Sequence, residues 1–374
     1  MDSKIWLSSP HLGTKERAFI NEAFQSNWIA PSGKLVDGFE SDISNYLGNE
    51  QHVAALNSGT AAIHLALVLL NVAAGDEVLC QSHTFAASAN PIIYQGATPI
   101  FIDSEALSWN LCPELLEQAI KDRIKKGKTP KAIIAVHLYG MPYQVDEIQA
   151  IAAHYNIPII EDSAEAFGSR FENKMCGTFG SMAILSFNGN KIITTSAGGA
   201  LITKDKFLRD KAVFLATQAK DDHAAYTHSN IGYNYRMSNV LAGIGRAQME
   251  VLDSRVTARR NNFKVYSEAL AHLSELKFQQ EPKNCVSNRW LTCVLTPSEE
   301  VREGLRKHLE SLNIESRPFW RPMHLQPVFK DAPAYVNGVS KNLFKKGLCL
   351  PSGSNLSEAD LNRVINGIKD FFRV

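Results

Sequence analysis

The chain reads as an α/β protein: a mostly parallel sheet flanked by helices, followed by a smaller α+β unit. Three observations predict this. Short apolar runs alternate with helix-length segments from residue 53 to about 203. Several runs, such as Ala132-Ile-Ile-Ala-Val136, are continuously apolar, as in strands covered on both faces. Beyond about 262 the alternation stops, and a different mix of strand, loop and helix follows.

In order, residues 1–50 read as a helical lead-in. Lys15 to Ser26 has helical spacing at Ala18, Phe19, Ala23 and Phe24. Trp28 to Gly33 is a loop, and a second helix runs from Lys34 to Leu47. Strands are expected at Val53–Leu56, Glu77–Cys80, Thr98–Ile102, Ala132–Leu138, Ile157–Glu161, Ala183–Phe187 and Gly199–Thr203. Helices are expected at Ala61–Leu70, Leu111–Lys125 and Val145–Tyr155. Residues 204–260 are mostly helical around a polar loop near Asp221–Tyr235. Then come a strand at Trp290–Leu295, a helix at Glu299–Leu312, a Pro-rich loop at Arg317–Val328 and a closing helix at Glu358–Phe372. The expected division is a large domain over 1–260 and a small one over 261–374.

Composition excludes several classes. The 39 basic and 38 acidic residues nearly cancel, and the one cationic cluster, Lys121 to Lys131, is short and mixed. Neither a nucleic-acid nor a membrane surface is expected. Cys80, Cys112, Cys176, Cys285, Cys293 and Cys349 form no C-x-x-C pair and read as reduced structural thiols. No metal site is expected. The opening residues, with Asp2 and Lys4, have no apolar stretch of the secretory type. The longest apolar segment, Ala61 to Ala74, is too short to span a bilayer. The expected location is the cytoplasm.

Four local features carry chemistry. Asn57-Ser-Gly-Thr60 lies between a strand and a helix, where free N–H groups and the helix dipole make an anion site. Asp162 closes an apolar strand at the edge where open α/β sheets bind ligands. Leu185-Ser-Phe-Asn-Gly-Asn-Lys191 places a lysine just past a core strand. Phe85 follows another strand, where its ring could stack on a flat ligand. Taken singly, each has a plain structural reading: a helix cap, an N-cap, a solvated lysine, a core aromatic. Together, in this order on one sheet edge, they are the parts of a pyridoxal phosphate site.

These residues resemble the DegT/StrS family of sugar aminotransferases. The resemblance spans nearly the whole chain. It includes Asn57-Ser-Gly-Thr60, Glu161-Asp-Ser-Ala164, Ser186-Phe187 with Lys191, Gly232-Tyr-Asn-Tyr-Arg-Met237 and Arg317-Pro-Phe-Trp-Arg-Pro-Met-His324. It implies the type I aminotransferase fold. It also implies that Lys191 binds pyridoxal 5′-phosphate as an internal aldimine, that Asp162 pairs with the pyridine nitrogen, and that Phe85 stacks on the ring. Gly59, Thr60 and Ser186 would hold the phosphate, joined by Asn234 from the neighbouring subunit of a homodimer with shared active sites. Glu165 departs from the pattern, since many relatives carry Gln or His there, and a carboxylate beside the cofactor's hydroxyl would repel a phenolate unless protonated or bridged. Ser196-Ala197 also departs from the Gly-Glu often found before the paired glycines.

Asn188-Gly-Asn-Lys-Ile-Ile-Thr-Thr195 and Ser287-Asn-Arg-Trp290 look like the enzymes that aminate C4 of a UDP-linked 4-keto-6-deoxy-N-acetylglucosamine for bacillosamine-type sugars. GDP-perosamine synthases look similar. The donor implied is an amino acid, glutamate. Asn188, Arg236, Arg317, Arg321 and His324 are the candidates for substrate anions, each with an equally good structural reading. Two other classes compete. Sugar dehydratases of this fold have His where Lys191 stands, which argues against them. A non-catalytic cofactor-binding regulator would carry an extra DNA-binding segment, and none is evident.

Overall fold

The computed structural model describes residues 3–373. Its fifteen strands are β1 (His52–Leu56), β2 (Glu77–Gln81), β3 (Thr98–Ile102), β4 (Ala132–Val136), β5 (Ile159–Asp162), β6 (Arg170–Phe171), β7 (Lys174–Met175), β8 (Met182–Ser186), β9 (Gly199–Thr203), β10 (Lys277–Phe278), β11 (Cys285–Val286), β12 (Thr292–Leu295), β13 (Arg317–Pro318), β14 (Ala334–Tyr335) and β15 (Gly347–Leu350). The main sheet has eight strands in the order β1-β9-β8-β5-β4-β2-β3-β14. From β8 to β14 every pairing is parallel. Only β9 runs against its neighbours β8 and β1.

The apolar runs form this sheet because both of its faces are covered. In β4, Ala132, Ile134 and Val136 enter one core cluster, and Ile133 and Ala135 enter the cluster on the other face. This is the two-residue period of a strand, with no polar side available. Each fully buried Ile contributes about 1.5–3 kcal/mol by leaving water. Helices 59–69 and 206–216 cover the first face, and helices 113–125 and 145–155 the second.

Strand order reverses between β2 and β4, because β3 lies outside β2 while β4 and β5 lie on its other side. Such a reversal opens a crevice beyond the carboxyl ends of the strands. The turns after β1, β2, β4, β5 and β8 all emerge at this edge, and so do Gly59, Phe85, Asp162 and Lys191.

The C-terminal part builds an antiparallel sheet, β10-β12-β15-β13, over the cluster of Leu305, Leu309, Leu348, Val364 and Ile368. It interlocks with the rest of the chain. Helix 252–269 runs unbroken past residue 260, β14 extends the large sheet beside β3, and Ile5 bridges to Ile314. A small ribbon, β11-β6-β7, also joins distant parts of the sequence.

Three local expectations differ from the structure. Residues 3–15 contain no helix; they run as an extended strap whose Leu7 N–H is bound by Glu315. The β12 strand begins at Thr292 rather than Trp290. The cause is a turn: Arg289 takes a left-handed conformation, and the Asn288 side chain accepts the Trp290 N–H that a ladder would have used. Finally, β5 starts at Ile159, after Pro158, and ends on Asp162, which pairs with Val136. Proline has no N–H to donate to a ladder.

Candidate active site

A cavity of roughly 650 Å³ occupies the crevice at the strand ends. That is within the usual range for a small-molecule site, about 300–1,000 Å³. Gly59, Thr60, Phe85, Asp162, Glu165, Ser186, Asn188, Lys191 and Arg317 all line it. Asn234, Arg236, Arg321 and His324 do not.

At one end lies the turn after β1. Ser58 caps helix 59–69 by accepting the Ala61 N–H at 3.0 Å. Helix geometry leaves the Gly59 and Thr60 N–H groups without intrahelical partners, so they can bind an anion. Backbones pack tightly here. A Cβ on Gly199 would sit 2.4 Å from the Gly59 nitrogen, and one on Gly59 would sit 3.1 Å from Ser186 Cβ. The turn therefore needs glycine at 199 to bring β9 against the anion loop. The Ser186 side chain reaches the same spot from β8.

Asp162 is 4% exposed. Its Oδ2 accepts the Ser88 hydroxyl at 2.7 Å, and its Oδ1 accepts the Ala164 N–H at 3.2 Å. Ser88 is in turn 2.7 Å from the Thr84 hydroxyl. Burial pushes the Asp162 carboxyl up, with the Ser88 hydrogen bond and nearby Lys191 opposing. A cation placed in the cavity would offset that burial and hold the carboxylate ionised.

Lys191 sits on the turn after β8, its N–H bonded to the Asn188 carbonyl at 3.0 Å. Its side chain is only 12% exposed. The ammonium lies 3.3 Å from Glu165 Oε1 and 4.4 Å from the centroid of the Trp290 ring. Glu165 Oε2 accepts the Tyr139 N–H at 2.7 Å. Burial drives the Glu165 carboxyl up to about 7, against the pull of Lys191. Burial thus favours its protonated form more than in an exposed glutamate, and a protonated acid can face a phenolate-type oxygen without repulsion.

At the mouth, Phe85 is 56% exposed, with its ring 5.4 Å from that of Trp320. Arg317 is also exposed and paired with Glu315 at 2.8 Å. The remaining candidates have other partners. Arg236 is buried against Glu40 and donates to the Ala55 carbonyl at 3.0 Å, a pairing that anchors β1 to helix 34–46. His324 is held by the Ser82 hydroxyl at 2.6 Å. Asn234 is exposed; its backbone bridges to Thr217, and its carbonyl accepts the Asn57 side chain at 3.2 Å.

Sequence reasoning did not single out Thr84, Ser88, Tyr139, Trp320 or the Leu7–Ser8 strap, all of which line the cavity. Trp320 falls within the quoted Arg317–His324 segment without having been given a role, and the others belong to none of the quoted segments. Ser88 three residues after Phe85 is the one signal available, and its bond to Asp162 spans 74 residues.

These residues fit pyridoxal phosphate. The anion turn, the close backbone approach at Gly199, a buried carboxylate and a sequestered lysine are what its phosphate, ring nitrogen and aldehyde require. Comparison with known proteins agrees. Residues 10–369 match the model of the DegT/DnrJ/EryC1/StrS aminotransferase family. The chain is 49% identical, over all of its length and 97% of the relative's, to EpsN of Bacillus subtilis (strain 168), which is named among pyridoxal phosphate-dependent aminotransferases. It is 37% identical to the GDP-perosamine synthase of Escherichia coli O157:H7, over 97% of both chains. The crystal structure of a DegT/DnrJ/EryC1/StrS aminotransferase from Brucella abortus superposes with a TM-score of 0.90 at 32% identity, covering 96% of this chain and 95% of that one. The chain belongs to the DegT/DnrJ/EryC1/StrS family and is a pyridoxal phosphate-dependent sugar aminotransferase.

Proposed function

We propose that this enzyme moves the amino group of an amino acid, glutamate, to C4 of a UDP-linked 2-acetamido-4-keto-6-deoxy sugar. The amino-transfer part rests on one observation: the Lys191 amine, the buried Asp162 carboxylate and the anion turn line a single cavity. Pyridoxal phosphate, when bound, supplies an electron sink through its protonated pyridine ring. Asp162 would hold the proton on the ring nitrogen by a charge-assisted hydrogen bond. Gly59, Thr60 and Ser186 would bind the phosphate, and Phe85 would lie against the ring. The Lys191 amine, once free, would accept and return a proton at the reacting carbon, which makes it the general base of both half-reactions. Arg317, at the mouth, is the cation best placed for a substrate anion.

The UDP reading is supported by Asn188, Asn190, Lys191 and Trp290. All four come from the two segments that carry the bacillosamine-type resemblance, and all line the cavity. A GDP-linked 4-keto-6-deoxymannose is the second reading, favoured by the identity to a GDP-perosamine synthase. Kinetics with glutamate and each nucleotide sugar separate them. We expect kcat/KM to favour the UDP sugar by at least about 100-fold, since a site hydrogen-bonded to one base leaves its polar groups unpaired with the other. A higher kcat/KM for the GDP sugar would replace the UDP reading with a perosamine-type one.

The same proposal makes the enzyme a cytoplasmic homodimer, with Asn234 of each chain reaching the phosphate of the other site. It is supported by the exposure of Asn234 and of neighbouring Ile231, and by Asn234 not lining its own cavity. No helix among the described residues is long and apolar enough to cross a membrane. Mixing inactive Lys191→Ala with an impaired Asn234→Leu should restore about a quarter of wild-type activity, one competent site per mixed dimer. No recovery after verified subunit exchange would place Asn234 in its own site.

A further inference from the structure

The surroundings of Lys191 hold a feature that cofactor binding does not require. Its ammonium lies over the face of Trp290, 4.4 Å from the ring centroid, inside the roughly 6 Å range of cation–π attraction. Trp290 is 2% exposed, so the contact is largely desolvated, where such attraction is strongest.

The indole is held by a hydrogen bond at its nitrogen, and the backbone that carries it is held on both sides. Its Nε1 donates to the Asn190 carbonyl at 2.7 Å, the peptide that leads directly into Lys191. The Ser8 hydroxyl donates to the same carbonyl at 2.7 Å. Arg259, fully buried, ties the two together. One of its terminal nitrogens donates to the Trp290 carbonyl and the other to Ser8 Oγ at 2.9 Å. The Trp290 N–H is taken by Asn288 Oδ1 at 2.9 Å. One ring therefore binds both the backbone at the base of Lys191 and the amine at its tip.

We propose that Trp290 is a positioning residue whose indole face, with the Glu165 carboxylate, holds the Lys191 amine in place whenever it is not joined to the cofactor. This rests on the reading of Lys191 as the cofactor-binding lysine. Amino transfer frees that amine in each half-reaction and needs it back at the same carbon. A four-carbon stem left loose would lose the alignment that proton transfer demands. An indole suits the task because it attracts an ammonium without the full neutralisation of a second carboxylate, so the amine can still give up its proton.

The test begins on the cofactor-free protein. Reductive methylation with ¹³C-formaldehyde places NMR-visible methyls on lysine nitrogens, and the Lys191→Arg variant identifies the Lys191 signal. Ring current should move that signal upfield of the other lysines. Trp290→Phe should reduce the displacement, and Trp290→Leu should abolish it. No upfield signal in the wild type overturns the proposal.

In the loaded enzyme, Trp290→Leu should lower kcat by about tenfold, the scale of one desolvated cation–π contact. KM for the nucleotide sugar should stay within about twofold. Unchanged kcat, or a change confined to KM, would make Trp290 a wall of the cavity and overturn the positioning role. If Trp290→Leu does not fold, Trp290→Phe carries both measurements. The failure of the underlying reading is distinguishable: borohydride would then tag a lysine other than Lys191, whatever the position of the methyl signal.

Discussion

Lys191→Ala is expected to abolish turnover, by at least about 10⁴-fold, the upper end of what a positioned acid–base group contributes. The loss follows from position. Among the described residues the amine is the single lysine nitrogen lining the cavity, it lies beside Glu165 and Trp290, and its turn leaves the sheet next to Asp162's strand. Cofactor should still bind to the variant, because the Gly59–Thr60 turn, Ser186 and Asp162 are untouched. Borohydride reduction of the loaded wild-type enzyme followed by peptide mapping should tag Lys191. A tag elsewhere, or appreciable turnover by Lys191→Ala, would remove Lys191 from the chemistry.

Asp162→Asn is expected to lower kcat by about 10²- to 10³-fold or more, the scale of losing one preorganised electrostatic partner of the developing charge. The substitution keeps the shape: the amide oxygen can still accept the Ala164 N–H, while the amide NH2 can donate to the Ser88 hydroxyl, which accepts as well as donates. What it removes is the charge. In the native chain, burial pushes the Asp162 carboxyl up, and a protonated ring nitrogen opposite it would reverse that pressure. Asparagine offers no such coupling, so the ring proton is lost more easily and the electron sink weakens. Cofactor content, read from absorbance after desalting, should remain near that of the wild type. Normal turnover with retained cofactor would exclude Asp162 from the mechanism.

The two residues differ in how far the sequence alone reveals them. Asp162 follows the apolar run Ile157–Ile160 and Glu161 at the end of a core strand, where taken alone it could also be a helix N-cap. Its place at the sheet edge is legible from the strand pattern. Lys191 is one of many lysines, and position just past Leu185–Phe187 is what sets it apart. For Gly59 and Thr60 the strand-to-helix turn is again local, and Gly199 explains itself once the strands are paired. Arg236 and Glu40 show the opposite case. Sequence gives no means of knowing that they meet 196 residues apart and consume each other's charge.

By itself, then, the sequence determined the elements whose cause is local. The apolar runs specify strands covered on both faces, and the small-residue turn and the strand-end Asp and Lys mark the positions that the fold brings to one cavity. Tertiary structure alone decided which side chains complete the site. The Ser88 bond to Asp162, the Tyr139 N–H on Glu165 and the Trp290 ring under Lys191 join segments 26 to about 100 residues apart. Such contacts follow from strand order and the crevice at its reversal, and no periodicity records them. The same holds for the N-terminal strap. Residues 3–15 fall within the segment read as a helical lead-in, before its first helix, and the strap they form was not foreseen: Leu7 and Ser8 place their hydrogen bonds on Glu315 and Asn190, partners that exist only once the two halves of the chain have packed.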